Sequence, residues 1–130
     1  MAKNKRTAFF ISDGTGITAG SLGGLLAHFP ETEFDQIRIP FTDSIEKVED
    51  AQKRVANIKM MTGSRPIVIM SIGNQILRNE LKAVDAYYID LFDSFIHPLG
   101  IELNEPALTR PGVSHSMKTN QYGSRMEAIN

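Results

Sequence analysis

The sequence predicts an α/β fold: a three-layer, doubly wound, mostly parallel sheet. Three observations carry this. Residues 7–12 and 66–71 are short, continuously apolar runs, as in strands covered on both faces. Between and after them lie segments with apolar residues at helical spacing. Strands then alternate with helices along the chain, so crossovers join successive strands and lay them parallel. The pattern is Rossmann-like or flavodoxin-like.

Each element has its own signal. The first strand, residues 7–12, stops at Asp13 and Gly14. Leu22, Leu25, Leu26 and Phe29 recur on one helical face, and Pro30 closes that helix. Ile37, Ile39 and Phe41 alternate with polar neighbours and predict the second strand. The second helix is the best marked. Asp43 and Glu46 stand in the relation of a capping box, with Asp in place of Ser or Thr. Ile45, Val48, Ala51, Val55 and Ile58 form its apolar stripe, and Gly63 falls at its C-terminal cap. Residues 66–71 form the third strand. Ile76, Leu77, Leu81 and Val84 predict a short helix, and Tyr87, Tyr88 and Ile89 a fourth strand. Phe92, Phe95, Ile96, Leu99 and Leu103 predict a last helix, which kinks at Pro98 or begins later than its stripe. Residues 1–104 thus read as one α/β domain. Residues 105–130 read as loop, marked by Pro106, Pro111, Gly112 and Gly123, followed by the first turns of an interrupted helix.

Composition excludes several function classes. A net charge of −1 over 130 residues gives no field to draw nucleic acid or an anionic membrane. The absence of cysteine removes disulfides, thiolate nucleophiles and zinc–thiolate sites together. The apolar run at residues 8–11 is too short for a signal peptide or a membrane span, so a cytoplasmic location is expected.

Ligands of open parallel sheets sit beyond the carboxyl ends of the strands. Those ends are Asp13, Gly14, Thr15, Gly16 and Thr18 after the first strand, and Thr42 and Asp43 after the second. Ser71, Gly73 and Asn74 follow the third, and Asp90 the fourth. The stretch from Asp13 to Thr18 is the most informative. Gly14 and Gly16 allow a sharp turn, Thr15 and Thr18 add hydroxyls, and a helix start behind them offers free N–H groups and a positive dipole end. That combination suits a phosphoryl group. Asp13 would repel an anion set directly against it, which favours proton transfer or Mg²⁺ contact as its role. The plainer alternative is a tight strand-to-helix turn with Thr18 capping the helix. Neither GxGxxG nor GxxxxGK[ST] occurs, so the chain has no nucleotide P-loop.

His28 falls near a helix end and His97 precedes Pro98, and both read as structural. His115, between Ser114 and Ser116 in a polar loop, is the better functional candidate. No pair of histidines has metal-ligand spacing and the carboxylates are scattered, so no metal site is expected from this domain alone.

The stretch from Phe9 to Ala19, FFISDGTGITA, resembles the opening signature of the bacterial phosphoenolpyruvate synthase regulatory proteins, relatives of the pyruvate, phosphate dikinase regulators. The likeness continues through Phe41-Thr42-Asp43-Ser44, Arg65-Pro66-Ile67-Val68 and Asp90-Leu91-Phe92-Asp93-Ser94-Phe95-Ile96. It runs on to Ser114-His115-Ser116, Tyr122 and Arg125-Met126-Glu127-Ala128. The resemblance implies a bifunctional regulator. Such proteins phosphorylate a threonine of phosphoenolpyruvate synthase or a related dikinase using ADP, and remove it with inorganic phosphate, releasing pyrophosphate. Family members are about twice this length and carry a P-loop in a C-terminal kinase-like domain that has no counterpart here. The resemblance therefore implies that this chain alone is inactive and binds no cofactor. Mg²⁺ and a homo-oligomer are both compatible with it. Asp13 and His115 stand as catalytic candidates, with Gly14, Thr15, Gly16, Thr18, Ser71 and Ser114 for phosphate or substrate. Gly20 departs from the Glu common in relatives, so no role for that carboxylate carries over. Two other functions stay open: a non-catalytic domain that docks the target, and a free-standing phosphate- or small-ligand-binding protein.

Overall fold

The computed structural model describes residues 4–110. Four strands, β1 (Asn4–Ser12), β2 (Thr32–Ile39), β3 (Ile67–Ser71) and β4 (Tyr87–Asp90), form one sheet in the order β2-β1-β3-β4. All three pairings are parallel. The expected α/β class is therefore the observed one.

The sheet is covered on both faces because β1 and β3 are apolar at every central position. Phe9 and Ile11, in register with Val68 and Met70, face α2 (Ile45–Thr62) and α3 (Gln75–Leu81). There they pack with Val48, Ala51, Val55, Leu77 and Leu81. Ala8, Phe10 and Ile69 face the opposite way, onto Ala19 of α1 (Ile17–Ser21) and Leu26. Alternate residues of one strand thus anchor opposite layers.

Three local expectations need correction. The helix expected over Leu22, Leu25, Leu26 and Phe29 is a five-residue α1 followed by a 3₁₀ segment, Leu22–His28. Leu26 alone of that stripe is buried; Leu25 and Phe29 are exposed. The glycine-rich sequence holds an α-helix poorly, and the tighter 3₁₀ turn takes over. The second strand begins earlier than expected and ends at Ile39, so Phe41 lies outside it. Pro40 lacks the N–H that a further ladder step needs, and Phe41 turns to φ 58°. The N-cap of α2 is Ser44, whose hydroxyl accepts from the Lys47 amide at 3.2 Å, and not Asp43. Asp43 instead pairs with Lys47 at 3.0 Å. The last helix begins later than its apolar stripe, one of the two courses expected for it: a π-helical turn, Phe92–Ile96, precedes α4 (His97–Leu103), and Pro98 sits in the first turn of α4.

Gly63 caps α2 as expected, at φ 75°. No helix among the described residues is long and apolar enough to cross a membrane.

Candidate functional site

Consecutive connections leave β1 in opposite directions in the order β2-β1-β3-β4, so the switch point lies between β1 and β3. Two hydrogen bonds span it. The Asp13 carboxylate, just past β1, accepts the Gly73 amide, just past β3, at 2.9 Å. The Asp13 amide in turn donates to the Ser71 carbonyl at 3.1 Å. Asp13 is 8% exposed. Burial pushes its pKa above the ordinary carboxylate value, the Gly73 N–H pulls it partly back, and the nearby Asp43 charge adds a further push upward.

Beyond Asp13 the chain turns sharply. The Gly14 amide donates to the Ser12 hydroxyl at 3.0 Å, and Gly16 takes φ 86°, which a side chain would strain. Gly16, not Thr18, occupies the N-cap of α1, and it makes no side-chain cap. The plainer reading in which Thr18 caps this helix is thus incorrect. Thr18 lies within α1 and is exposed, as is Thr15, whose hydroxyl accepts the Ile17 amide at 3.4 Å. The helix behind the loop has only five residues, so the dipole expected from it is weak.

A cation supplies what the short helix does not. Arg38, near the end of β2, donates to the Thr15 carbonyl at 3.0 Å. Its guanidinium passes 3.4 Å from the point a Gly16 Cβ would occupy. Nothing local in the sequence flags Arg38, which reads as the outward residue of an alternating strand. Gly20 meets nothing within 4 Å of a built Cβ, so a side chain fits there.

The structure brings Asp13, Gly14, Thr15, Gly16, Thr18 and Ser71 together at one end of the sheet. Ser114 and His115 lie outside the described residues. The other strand-end candidates serve local structure. Asn74 caps α3, accepting the amides of Ile76 and Leu77 at 2.9 and 3.1 Å. Asp90 accepts the Phe92 and Asp93 amides at 2.9 and 3.3 Å. Its second oxygen lies 2.6 Å from Lys82 Nζ and 3.5 Å from Arg78 Nε, ion-pair contacts without hydrogen-bond alignment. Burial works against the Lys82 ammonium, yet its bonds to Asp90 and Asp93 outweigh this and hold its pKa above the usual value. Lys82 in turn holds Asp93 below its own. Arg78 also donates to the carbonyls of Ile72 and Gly73 and stacks on Phe92, with its guanidinium carbon 5.3 Å from the ring centre.

Among the described residues, no group of three or more His, Asp or Glu could hold a metal ion. Asp13 can offer one oxygen, and the exposed loop can take an anion.

Comparison with known proteins fits this geometry. A protein of Methylobacillus flagellatus with the provisional name phosphoenolpyruvate synthase regulatory protein is 50% identical over 126 residues, covering 97% of this chain and 47% of the relative. Proteins of the same provisional name from Hahella chejuensis and Aromatoleum aromaticum are 43% and 42% identical. They cover 97% and 96% of this chain, and 47% and 46% of the relatives. The chain thus spans about half the length of the curated relatives it matches. Residues 8–130 match the kinase/pyrophosphorylase family, from within β1 past the last described residue, and the chain belongs to that family.

Proposed function

We propose that the chain is the N-terminal half of a bifunctional regulator of phosphoenolpyruvate synthase. In one direction a target threonine attacks the β-phosphoryl group of ADP, giving phosphothreonine and AMP. In the other, inorganic phosphate attacks the phosphothreonine, giving pyrophosphate and the free hydroxyl. The supporting observation is the carboxylate at the switch point. Asp13 is buried, holds its proton more strongly than an ordinary aspartate, and stands beside a loop of exposed hydroxyls.

With ADP the threonine hydroxyl must lose its proton as it attacks, and in phosphorolysis the departing threonine oxygen must gain one. Asp13 takes the proton in the first case and gives it in the second, and its raised pKa suits both tasks better than an ordinary carboxylate would. Arg38, the Thr15 and Thr18 hydroxyls and the backbone from Gly14 to Gly16 hold the phosphoryl oxygens. Ser71 supports the loop through its carbonyl, and Ser114 and His115, outside the described residues, are the further candidates for substrate contact. The adenine nucleotide binds in the half of the protein beyond this chain. A Mg²⁺ ion would reach these residues with the substrate phosphates, touching the chain through Asp13.

Two measurements test this. In the longer protein, Asp13→Asn should reduce phosphoryl transfer in both directions by about 10²-fold or more, the scale of general acid–base catalysis, and spare target binding. Lost binding with intact turnover on a threonine peptide would favour the docking role instead. In this chain, millimolar inorganic phosphate should shift the Gly14 and Gly16 amides, and unmoved amides would count against the phosphoryl site.

A further inference from the structure

Phe41 holds an unusual backbone conformation that side-chain burial does not offset. Its φ of 58° lies in the left-handed region, where Asn104 is the other non-glycine residue among those described. For a bulky side chain that conformation is unfavourable. Core burial does not offset the cost, because Phe41 is 54% exposed. Two hydrogen bonds enforce it. The Phe41 amide donates to the Gly14 carbonyl at 2.7 Å, and the Thr42 amide to the Ser12 carbonyl at 2.8 Å. The turn after β2 is thereby stitched to the candidate phosphoryl loop.

Two more large apolar side chains are exposed on the same stitched pair of loops. Ile17 follows Gly16 directly and Ile45 opens α2; they are 47% and 43% exposed. Arg38 and Pro40 approach Gly16 from the same side. Exposed apolar side chains thus flank, along the chain and across the two stitching hydrogen bonds, a loop that carries a guanidinium contact and two threonine hydroxyls. A ligand complementary to it carries an anionic phosphoryl group and an aliphatic side chain a few ångströms away. A phosphothreonine with apolar neighbours has that form. The side chains of Ile17, Phe41 and Ile45 offer no hydrogen bond to an adenine edge, so a nucleotide base fits less well.

We propose that Phe41, with Ile17 and Ile45, is a specificity-determining surface. It binds the apolar residue next to the phosphorylated threonine of a polypeptide substrate, while the phosphoryl group lies against Arg38 and the loop. This rests on the reading of residues 13–18 as a phosphoryl site. Isotope-labelled chain is titrated with inorganic phosphate, with ADP, and with capped phosphothreonine pentapeptides flanked by leucines or by serines. The leucine-flanked peptide should bind about tenfold more tightly than the serine-flanked one and shift the Ile17, Phe41 and Ile45 amides. Phe41→Asn, whose side chain tolerates the left-handed turn, should erase that preference, and Phe41→Tyr should keep it. Ile45→Thr, away from the strained turn, should weaken it even if the Asn variant folds poorly. Equal affinity for the two peptides overturns the inference. So does a leucine preference that survives both Phe41→Asn and Ile45→Thr. Inorganic phosphate that leaves Gly14 and Gly16 unmoved overturns the reading of the loop itself, and this inference with it.

Discussion

Asp13 and Asp90 sit at the same end of one sheet, and both are buried, yet their surroundings differ. Asp90 ends β4 inside a closed network: two amides bind one oxygen, and Lys82 and Arg78 attend the other. Asp13 accepts the Gly73 amide, and burial holds its proton on more firmly than usual. A buried carboxylate surrounded by cations and amides is committed to structure. One that accepts a neighbouring amide and, among the described residues, has no ion pair keeps capacity for chemistry beside an exposed loop. Gly73 connects the two, since its amide serves Asp13 and its carbonyl accepts from Arg78 at 3.2 Å.

The contrast can be broken at several points, beginning where the effect is largest. Asp90→Ala leaves Arg78 and Lys82 without their buried partner and uncaps two amides, and should cost about 3 kcal/mol in urea unfolding. Gly73→Ala comes next. A Cβ there would lie 2.1 Å from the Thr109 carbonyl oxygen, so backbone must move. We expect a loss of about 1–3 kcal/mol, with amide shifts at both Asp13 and Asp90. Lys82→Gln should cost about 1 kcal/mol or less, because the lysine is partly exposed and Arg78 remains near Asp90.

Asp13→Asn is the smallest and the sharpest. The amide oxygen still accepts the Gly73 N–H, so stability at neutral pH should be unchanged or raised. The sign follows from the elevated pKa. The folded chain holds the Asp13 proton above pH 3.8, where the unfolded chain has released it, so this group contributes less stability as pH rises through the folded pKa. Unfolding midpoints measured across acid to neutral pH should show that decline in the wild type and lack it in the variant. A variant as damaged as Asp90→Ala would erase the distinction between the two carboxylates.

Much of this was legible in the residues. Strands β1 and β3 are apolar at each central position because both their faces are covered, and that pattern survives without knowledge of the neighbours. The loop from Asp13 to Thr18 was legible because a strand that stops at Asp-Gly must turn there. Other features were not. Leu25 and Phe29 look like core residues, yet among the described residues no layer covers them. Phe41 continues the β2 alternation by eye, but Pro40 ends the ladder. Ser44 and Asp43 are both good caps, and only the path of the backbone chooses between them.

By itself, then, the sequence determined the two central strands, the bend after the first of them and the family, since each is written in neighbouring residues. The tertiary structure decided which carboxylate is neutralised by ion pairs and which, among the described residues, is not. Asp13 meets Gly73 across 60 positions, and Arg38 reaches Thr15 across 23. Such contacts follow from strand order and register, which bring distant residues within hydrogen-bonding reach and leave no local trace in the chain.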